Sequence, residues 1–141
     1  MKYLIDTCII SELIKVRPSK KVVEWVSSKS EENFYLSVLT IGEIQKGISK
    51  LADSKKKEKF QSWITVDLKD RFIGRILDID LAVAQKWGEI QGSAEKQGLV
   101  MPAVDALIAA TGICHGMIVV TRNIQDMQPS GARLFNPWEG E

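Results

Sequence analysis

Three acidic residues, Asp6, Glu43 and Asp105, are the side chains most able to do chemistry in this sequence. Asp6 directly follows a short apolar run, Glu43 lies early in the helix expected after a second such run, and Asp105 lies early in a helix that opens at Pro102. In an open parallel sheet, positions of this kind can meet beyond the carboxyl ends of the strands. If they do meet, the sequence predicts an acidic pocket.

Such a pocket implies a metal ion. Two carboxylates about 4 Å apart repel by about 4 kcal/mol at an effective dielectric of about 20, so a cluster of them is tolerated chiefly when a divalent cation neutralises it. Oxygen ligands suit Mg²⁺ or Mn²⁺, and a metal held this way can activate water and stabilise charge on a phosphodiester. Zinc is disfavoured because the chain has one histidine and its two cysteines, Cys8 and Cys114, have no paired spacing.

Each acidic residue also has a purely structural interpretation. Asp6 can cap the helix that follows it, the segment from Thr40 to Glu43 has the pattern of a capping box, and Asp105 can favour its helix by lying in the positive first turn. Because spacing alone does not establish convergence, the capping and the metal-site interpretations both remain open.

The elements that would position these residues alternate along the chain. Apolar and β-branched runs predict strands at 3–5, 34–38, 75–79 and 117–120, and helical periodicity predicts helices at 8–15, 22–26, 39–51, 54–68, 81–97 and 102–114. This alternation favours an α/β fold with a mainly parallel central sheet flanked by helices on both faces. Since no linker or internal repeat is evident, we expect a single domain over residues 1–141.

Composition excludes several classes of protein. The chain has 141 residues, 45% hydrophobic and 26% charged, which is ordinary for one folded domain and unlike disordered proteins. Its net charge of +1 argues against a protein that coats DNA, so any contact with nucleic acid must be local. No apolar stretch approaches the about 20 residues of a membrane span and no signal peptide is evident, so we expect no membrane partner and a cytoplasmic location.

Several segments resemble the motifs of a known family. The segments 4–12, 36–47 and 105–111 are similar to PIN-domain toxins, and the likeness is greatest to the VapC and FitB-like group. Segments 120–123 and 135–138 also resemble that group, so the resemblance covers nearly the whole chain, in the family's order.

The resemblance implies an activity and partners. It implies an endoribonuclease that hydrolyses RNA phosphodiesters with Mg²⁺ or Mn²⁺ and serves as the toxin of a type II toxin-antitoxin pair. A cognate antitoxin would hold it inactive, and the toxin would form a homodimer.

The resemblance also assigns site residues. The family's metal-binding carboxylates, which are catalytic, match Asp6, Glu43 and Asp105. Many members have aspartate where this chain has Asn123, so the fourth metal-site group is either Asn123 or Asp126, one turn later. Hydroxyls near the site would come from Thr7, Ser11 and Thr121, for which ordinary capping is the alternative.

Two other functions fit parts of the pattern. A receiver-type phosphoacceptor also binds Mg²⁺ at strand ends, but it would need paired acids after the first strand and a lysine after the last, where this chain has Arg122 after Thr121. A catalytically silent PIN-fold binding protein is the second alternative, against which the intact Asp6, Glu43 and Asp105 argue.

Arginines and tryptophans offer possible contacts to RNA. Arg71, Arg75 and Arg122 can bind phosphate around an acidic site, and each can equally be a structural or surface residue. The four tryptophans, Trp25, Trp63, Trp87 and Trp138, are scattered in the sequence and not interleaved with basic residues. That distribution favours core or interface packing over base stacking.

Overall fold

The central element of the fold is a five-stranded sheet. A computed structural model describes residues 1–140; the last residue of the predicted domain, Glu141, lies outside the described residues. The strands are β1 (Tyr3–Ile5), β2 (Phe34–Ser37), β3 (Ile76–Leu77), β4 (Ile118–Val120) and β5 (Leu134–Phe135), in the order β3-β2-β1-β4-β5. All four pairings are parallel. The predicted α/β class with a parallel sheet is confirmed, and β5 adds an edge strand that was not predicted from the sequence.

The six predicted helices occur in the predicted order, and two short helices occur in addition in the described part of the chain. They are α1 (Thr7–Leu13), α2 (Lys20–Ser27), α3 (Val38–Ser49), α4 (Lys55–Ser62), α5 (Lys69–Arg71), α6 (Leu81–Lys96), α7 (Ala103–Cys114) and α8 (Ile124–Met127). Between α4 and α5 the segment Trp63–Leu68 is π-helical, so the single helix expected over 54–68 changes its hydrogen-bond pattern near Trp63. Among residues 1–140, no helix combines the length and the apolar character that a membrane crossing requires.

Two apolar cores lie on opposite faces of the sheet. Successive residues of a strand point to opposite faces, and accordingly Leu4 and Val119 belong to one core while Ile5 and Val120 belong to the other. The first core is completed mainly by α6 and α7, and the second by residues of α1, α2, α3 and the π-helical segment. Helices therefore cover both faces, as the sequence predicted.

The sheet order places a crevice at the carboxyl end of β1. The chain leaves β1 and pairs with β2 on one side, whereas β4 pairs with β1 on the other. In parallel sheets, such a reversal of strand order is where ligands bind. Helix α7 can approach β4 closely here because Gly112 has no side chain: a Cβ on that residue would lie 2.5 Å from Cγ2 of the buried Val119.

Candidate active site

Asp6 lies at the end of β1 and is 3% exposed. Its Oδ1 accepts a hydrogen bond of 2.8 Å from the Thr7 backbone N, and its Oδ2 accepts one of 2.7 Å from Thr121 Oγ1. Burial raises the pKa of Asp6, the hydrogen bonds from Thr121 and Thr7 lower it, and the nearby charge of Glu43 raises it, with a net rise. Asp6 caps α1, but a helix cap needs neither deep burial nor a second carboxylate nearby.

Glu43 is connected to the same strand end through Thr7. Thr7 Oγ1 donates to Glu43 Oε1 at 2.5 Å and lies 3.3 Å from Thr40 Oγ1. The capping-box interpretation is wrong, because α3 begins earlier: Ser37 is its N-cap and accepts from Leu39 N at 3.1 Å. Thr40 is inside the helix and fully buried, so it does not act as the N-cap that a capping box requires. Glu43 instead accepts its hydrogen bond from Thr7 of α1.

Asp105 lies in the first turn of α7 and is half-buried. Its pKa is raised to about 6, first by burial and then by the charges of Asp6, Asp126 and Glu43. A cap at a helix N-terminus would have a lowered pKa, because the helix dipole favours the charged form. The causes of the raised pKa place three other acids within electrostatic range of Asp105. These four residues are hereafter called the carboxylate cluster: Asp6, Glu43, Asp105 and Asp126.

The remaining predicted residues lie around this cluster at different distances. Thr121 is fully buried between Asp6 and the Asn123 backbone N, which donates to Thr121 Oγ1 at 2.9 Å. Asn123 thus contacts the site through its backbone, whereas the charge of Asp126 acts on Asp105. Ser11 is exposed one turn beyond Thr7 and lines a shallow groove with Thr7 and Glu43.

Two residues near the site were not predicted as members of it. Cys8 Sγ donates to Asp6 Oδ2 at 3.7 Å, and burial together with the Asp6 charge raises the pKa of its thiol to about 11. Glu12 is buried and accepts from Lys15 Nζ at 2.9 Å and from Ser19 N at 2.8 Å. The hydrogen bond from Lys15 contributes most to lowering the Glu12 pKa, and Arg122 contributes a smaller part. Both residues lie in the segment 4–12 that resembles the family's motif, and that segment was the signal that could have found them.

The three candidate arginines separate into two groups. Arg71 pairs with Glu31, and Arg75 Nη1 donates to the carbonyls of Glu31 and Phe34 at 2.7 Å each, so both hold the turn before β2. Arg122 is exposed, its guanidinium lies 4.8 Å from the ring centroid of Trp138, and its backbone N donates to Cys8 Sγ at 3.4 Å. Of the three, Arg122 is therefore the one beside the carboxylate cluster.

The donor set of the cluster consists of carboxylate and hydroxyl oxygens, which suits a hard cation such as Mg²⁺ or Mn²⁺. Among residues 1–140, no three His, Cys, Asp or Glu side chains come close enough together to hold one ion by themselves. Mg²⁺ normally keeps several water ligands and binds through one or two carboxylates, so the arrangement fits a hydrated ion. The carboxylates can neutralise the charge of a bound cation, and a cation bound there can in turn attract a phosphate.

Comparisons with known proteins agree with this geometry. Residues 3–125 match the family model described as the PIN domain. The chain is 35% identical to the toxin FitB of Neisseria gonorrhoeae, with 96% of this chain and 97% of that protein covered. It is 32% identical to the VapC ribonuclease Y4jK of Sinorhizobium fredii over the same shares of the two chains. A solved structure of FitAB bound to a DNA fragment superposes with a TM-score of 0.93 at 35% identity, covering 99% of this chain and 97% of that one. The chain therefore belongs to the PIN-domain family.

Proposed function

We propose that this protein is a divalent-metal-dependent endoribonuclease and the toxin of a toxin-antitoxin pair. The observation that carries the proposal is that Asp6 and Glu43 lie together at the carboxyl edge of the sheet, joined through Thr7, with Asp105 within range of their charges. Membership of the PIN family and the similarity to relatives named as a ribonuclease and a toxin support the same activity.

The metal would be Mg²⁺ or Mn²⁺, bound directly by one or two of the carboxylates of Asp6, Glu43, Asp105 and Asp126 and otherwise by water, through which the remaining carboxylates would act. When bound, such an ion supplies an activated water and stabilises charge on the phosphate in the transition state. Asp126 is favoured over Asn123 as the fourth group, because its charge acts on Asp105 whereas Asn123 contacts the site through its backbone.

Two threonines orient the carboxylates. Thr121 donates to Asp6 Oδ2 and Thr7 donates to Glu43 Oε1, and each hydrogen bond leaves acceptor capacity on the carboxylate for a cation. Hydrogen-bonded partners of this kind fix the direction in which metal-binding groups point. We assign Thr7 and Thr121 as positioning residues, and Ser11 a weaker role at the rim of the groove.

The first prediction is metal dependence of cleavage. Purified protein should cut single-stranded or loop RNA with Mg²⁺ or Mn²⁺ and should lose that activity in chelator, since the carboxylates alone provide no activated water. Added metal should also raise the melting temperature, because a ligand that binds only the native state stabilises it. A protein that binds metal without cutting would be the silent PIN-fold alternative, and cutting in chelator would exclude the metal mechanism.

The second prediction concerns the antitoxin. An arginine or lysine of a partner protein would be attracted to the carboxylate cluster in place of metal. A groove of about 560 Å³, lined by apolar residues of α1, α2 and the π-helical segment together with Lys29, Glu31, Asp67 and Arg71, offers a partner helix a place to bind. Titrating Mg²⁺ into the toxin-antitoxin complex should weaken the complex; affinity that is independent of Mg²⁺ would contradict inhibition through the cluster.

We also propose a homodimer. Leu51, two residues after α3, and Val66, in the π-helical segment, are 36% and 49% exposed. Burial of these side chains against a second copy would remove apolar surface from water.

A further inference from the structure

An open polar cleft adjoins the carboxylate cluster. Its volume is about 440 Å³, and it is lined by Arg122, Ile124, two acids and three amide residues. The acids are Asp126 and Glu139, and the amide residues are Asn123, Gln125 and Asn136. Asp126 is common to the cleft and the cluster, so the two are continuous. The volume lies within the about 300 to 1,000 Å³ typical of sites for small ligands.

Arg122 lines this cleft and lies against an aromatic ring. Its guanidinium carbon lies 4.8 Å from the centroid of the Trp138 ring, and its backbone N donates to Cys8 Sγ, two residues from Asp6. A guanidinium held over an aromatic ring keeps N–H groups that can donate two parallel hydrogen bonds to a phosphate. A lysine would provide the charge without this planar fork.

The amides of the cleft are suited to reading a base. Asn136 Oδ1 accepts from Trp138 N at 2.9 Å, which fixes the turn below Arg122 and leaves the amide NH₂ group as a donor. Asn123 and Gln125 are exposed on the same lining. Amide side chains pair with base edges through matched donors and acceptors, and unpaired RNA exposes those edges.

We propose that this cleft binds the RNA nucleotide next to the scissile phosphate, with Arg122 on a phosphate and the amides of Asn136, Gln125 and Asn123 reading its base. The inference rests on the proposed ribonuclease function and assigns the sequence preference of cleavage to this cleft. The cleft combines a cation beside an aromatic ring, which suits a phosphate, with three neutral amides, which suit a base. Asp126 and Glu139 also line it, so among residues 1–140 Arg122 is the one cation in its lining that a phosphate can use.

The phosphate contact is tested with Arg122→Ala and Arg122→Lys, and with Arg133→Ala as a control that removes the same charge from an exposed position on another part of the surface. A short single-stranded RNA randomised at every position serves as the substrate. We expect Arg122→Ala to raise KM by about tenfold with little change in kcat, Arg122→Lys to fall between, and the control to match the parent. RNA binding without cleavage is measured in an Asp105→Asn background with Ca²⁺. There, Arg122→Ala should reduce the magnitude of the slope of log affinity against log salt by about 0.7, which corresponds to the loss of one phosphate contact to a single strand.

Base reading is tested with Asn136→Asp. The substitution keeps the acceptor for Trp138 N and replaces the NH₂ donor with a second oxygen. Sequencing the cleaved ends should show the preference at one position beside the cut changed by about tenfold. The added negative charge by itself would weaken all sequences equally, so a changed preference identifies a lost base contact.

The outcomes separate the two proposals. If the parent neither cuts nor binds RNA, the ribonuclease function and the cleft assignment both fail. If the parent cuts but Arg122→Ala keeps the parental KM and salt slope and Asn136→Asp keeps the parental preference, only the cleft assignment fails. If the Arg122 variants lose affinity for a protein partner while RNA binding is unchanged, the cleft belongs to that partner and the proposal is overturned. Melting temperatures of the single Arg122 and Asn136 variants should match the parent, because Arg122 is exposed and the Asn136 turn is retained.

Discussion

Asp6→Asn is expected to lower kcat/KM for RNA cleavage by about a thousandfold, because a metal-binding carboxylate contributes several kcal/mol to transition-state stabilisation and about 1.4 kcal/mol corresponds to a factor of ten. Asparagine keeps an oxygen that can accept from Thr7 N, so α1 keeps its cap. What the variant loses is one negative charge at the most buried member of the carboxylate cluster. Single-turnover rates on a short RNA, measured with added Mg²⁺, give the effect on chemistry.

Two further variants test the cause of this loss of activity. Thr121→Val leaves the Asp6 charge in place but removes the hydroxyl that donates to Oδ2, so we expect a loss of about tenfold to a hundredfold, as is usual when a partner that orients a metal-binding group is removed. Asp70→Asn removes the same charge as Asp6→Asn from an exposed position on α5 and should cut normally. If Asp6→Asn retained the parental rate with a normal melting temperature, Asp6 would be a helix cap and nothing more.

For Asp6 and Glu43, local sequence patterns did not decide between helix capping and a metal site. Asp6 is both a cap and a member of the cluster, so the alternatives were not exclusive. For Glu43 the local pattern was misleading, because Ser37 begins the helix and the partner of Glu43 is Thr7, 36 residues away. A capping box involves contacts within one turn, whereas this hydrogen bond depends on how β1 and β2 pair.

The fold was predictable where periodicity is strong. The buried strand Tyr3–Ile5 and the helix Leu81–Lys96 match their predicted extents closely, since each has a clear apolar pattern and a recognisable end. The two-residue strand β5 and the π-helical Trp63–Leu68 were missed. The first exists only because β4 offers it a partner, and the second depends on a hydrogen-bond pattern that apolar spacing does not specify.

The surroundings of the site were less predictable than its carboxylates. The tryptophans are not interleaved with basic residues along the chain, yet the fold brings Arg122 onto Trp138. Arg71 and Arg75, equally plausible in the sequence, are committed to the turn before β2. Family membership decides between a nuclease and a receiver-type phosphoacceptor, which the acidic residues alone did not do.

Asp105→Asn is expected to raise the melting temperature of the metal-free protein while abolishing most cleavage. In chelator, the charges of Asp6, Asp126 and Glu43 and partial burial all disfavour the ionised Asp105, so a neutral amide of the same shape relieves that cost. We expect a rise of about 2 to 5 °C, measured by thermal unfolding, and a smaller further gain from Mg²⁺ than the parent shows, because weaker metal binding reduces stabilisation by ligand. A residue that only complements the helix dipole would do the opposite, since losing it costs about 0.3 to 1 kcal/mol.

The pH dependence of this difference checks its cause. The pKa of Asp105 is raised to about 6 in the folded protein, so the folded state holds its proton more tightly than the unfolded state does. The parent therefore loses stability as the pH rises from the ordinary aspartate pKa of about 3.9 through about 6, and the asparagine variant has no such loss. The advantage of Asp105→Asn should be near zero in acid and complete at neutral pH. If the variant instead melted lower at neutral pH, responded normally to Mg²⁺ and still cut RNA, Asp105 would lie outside the catalytic site.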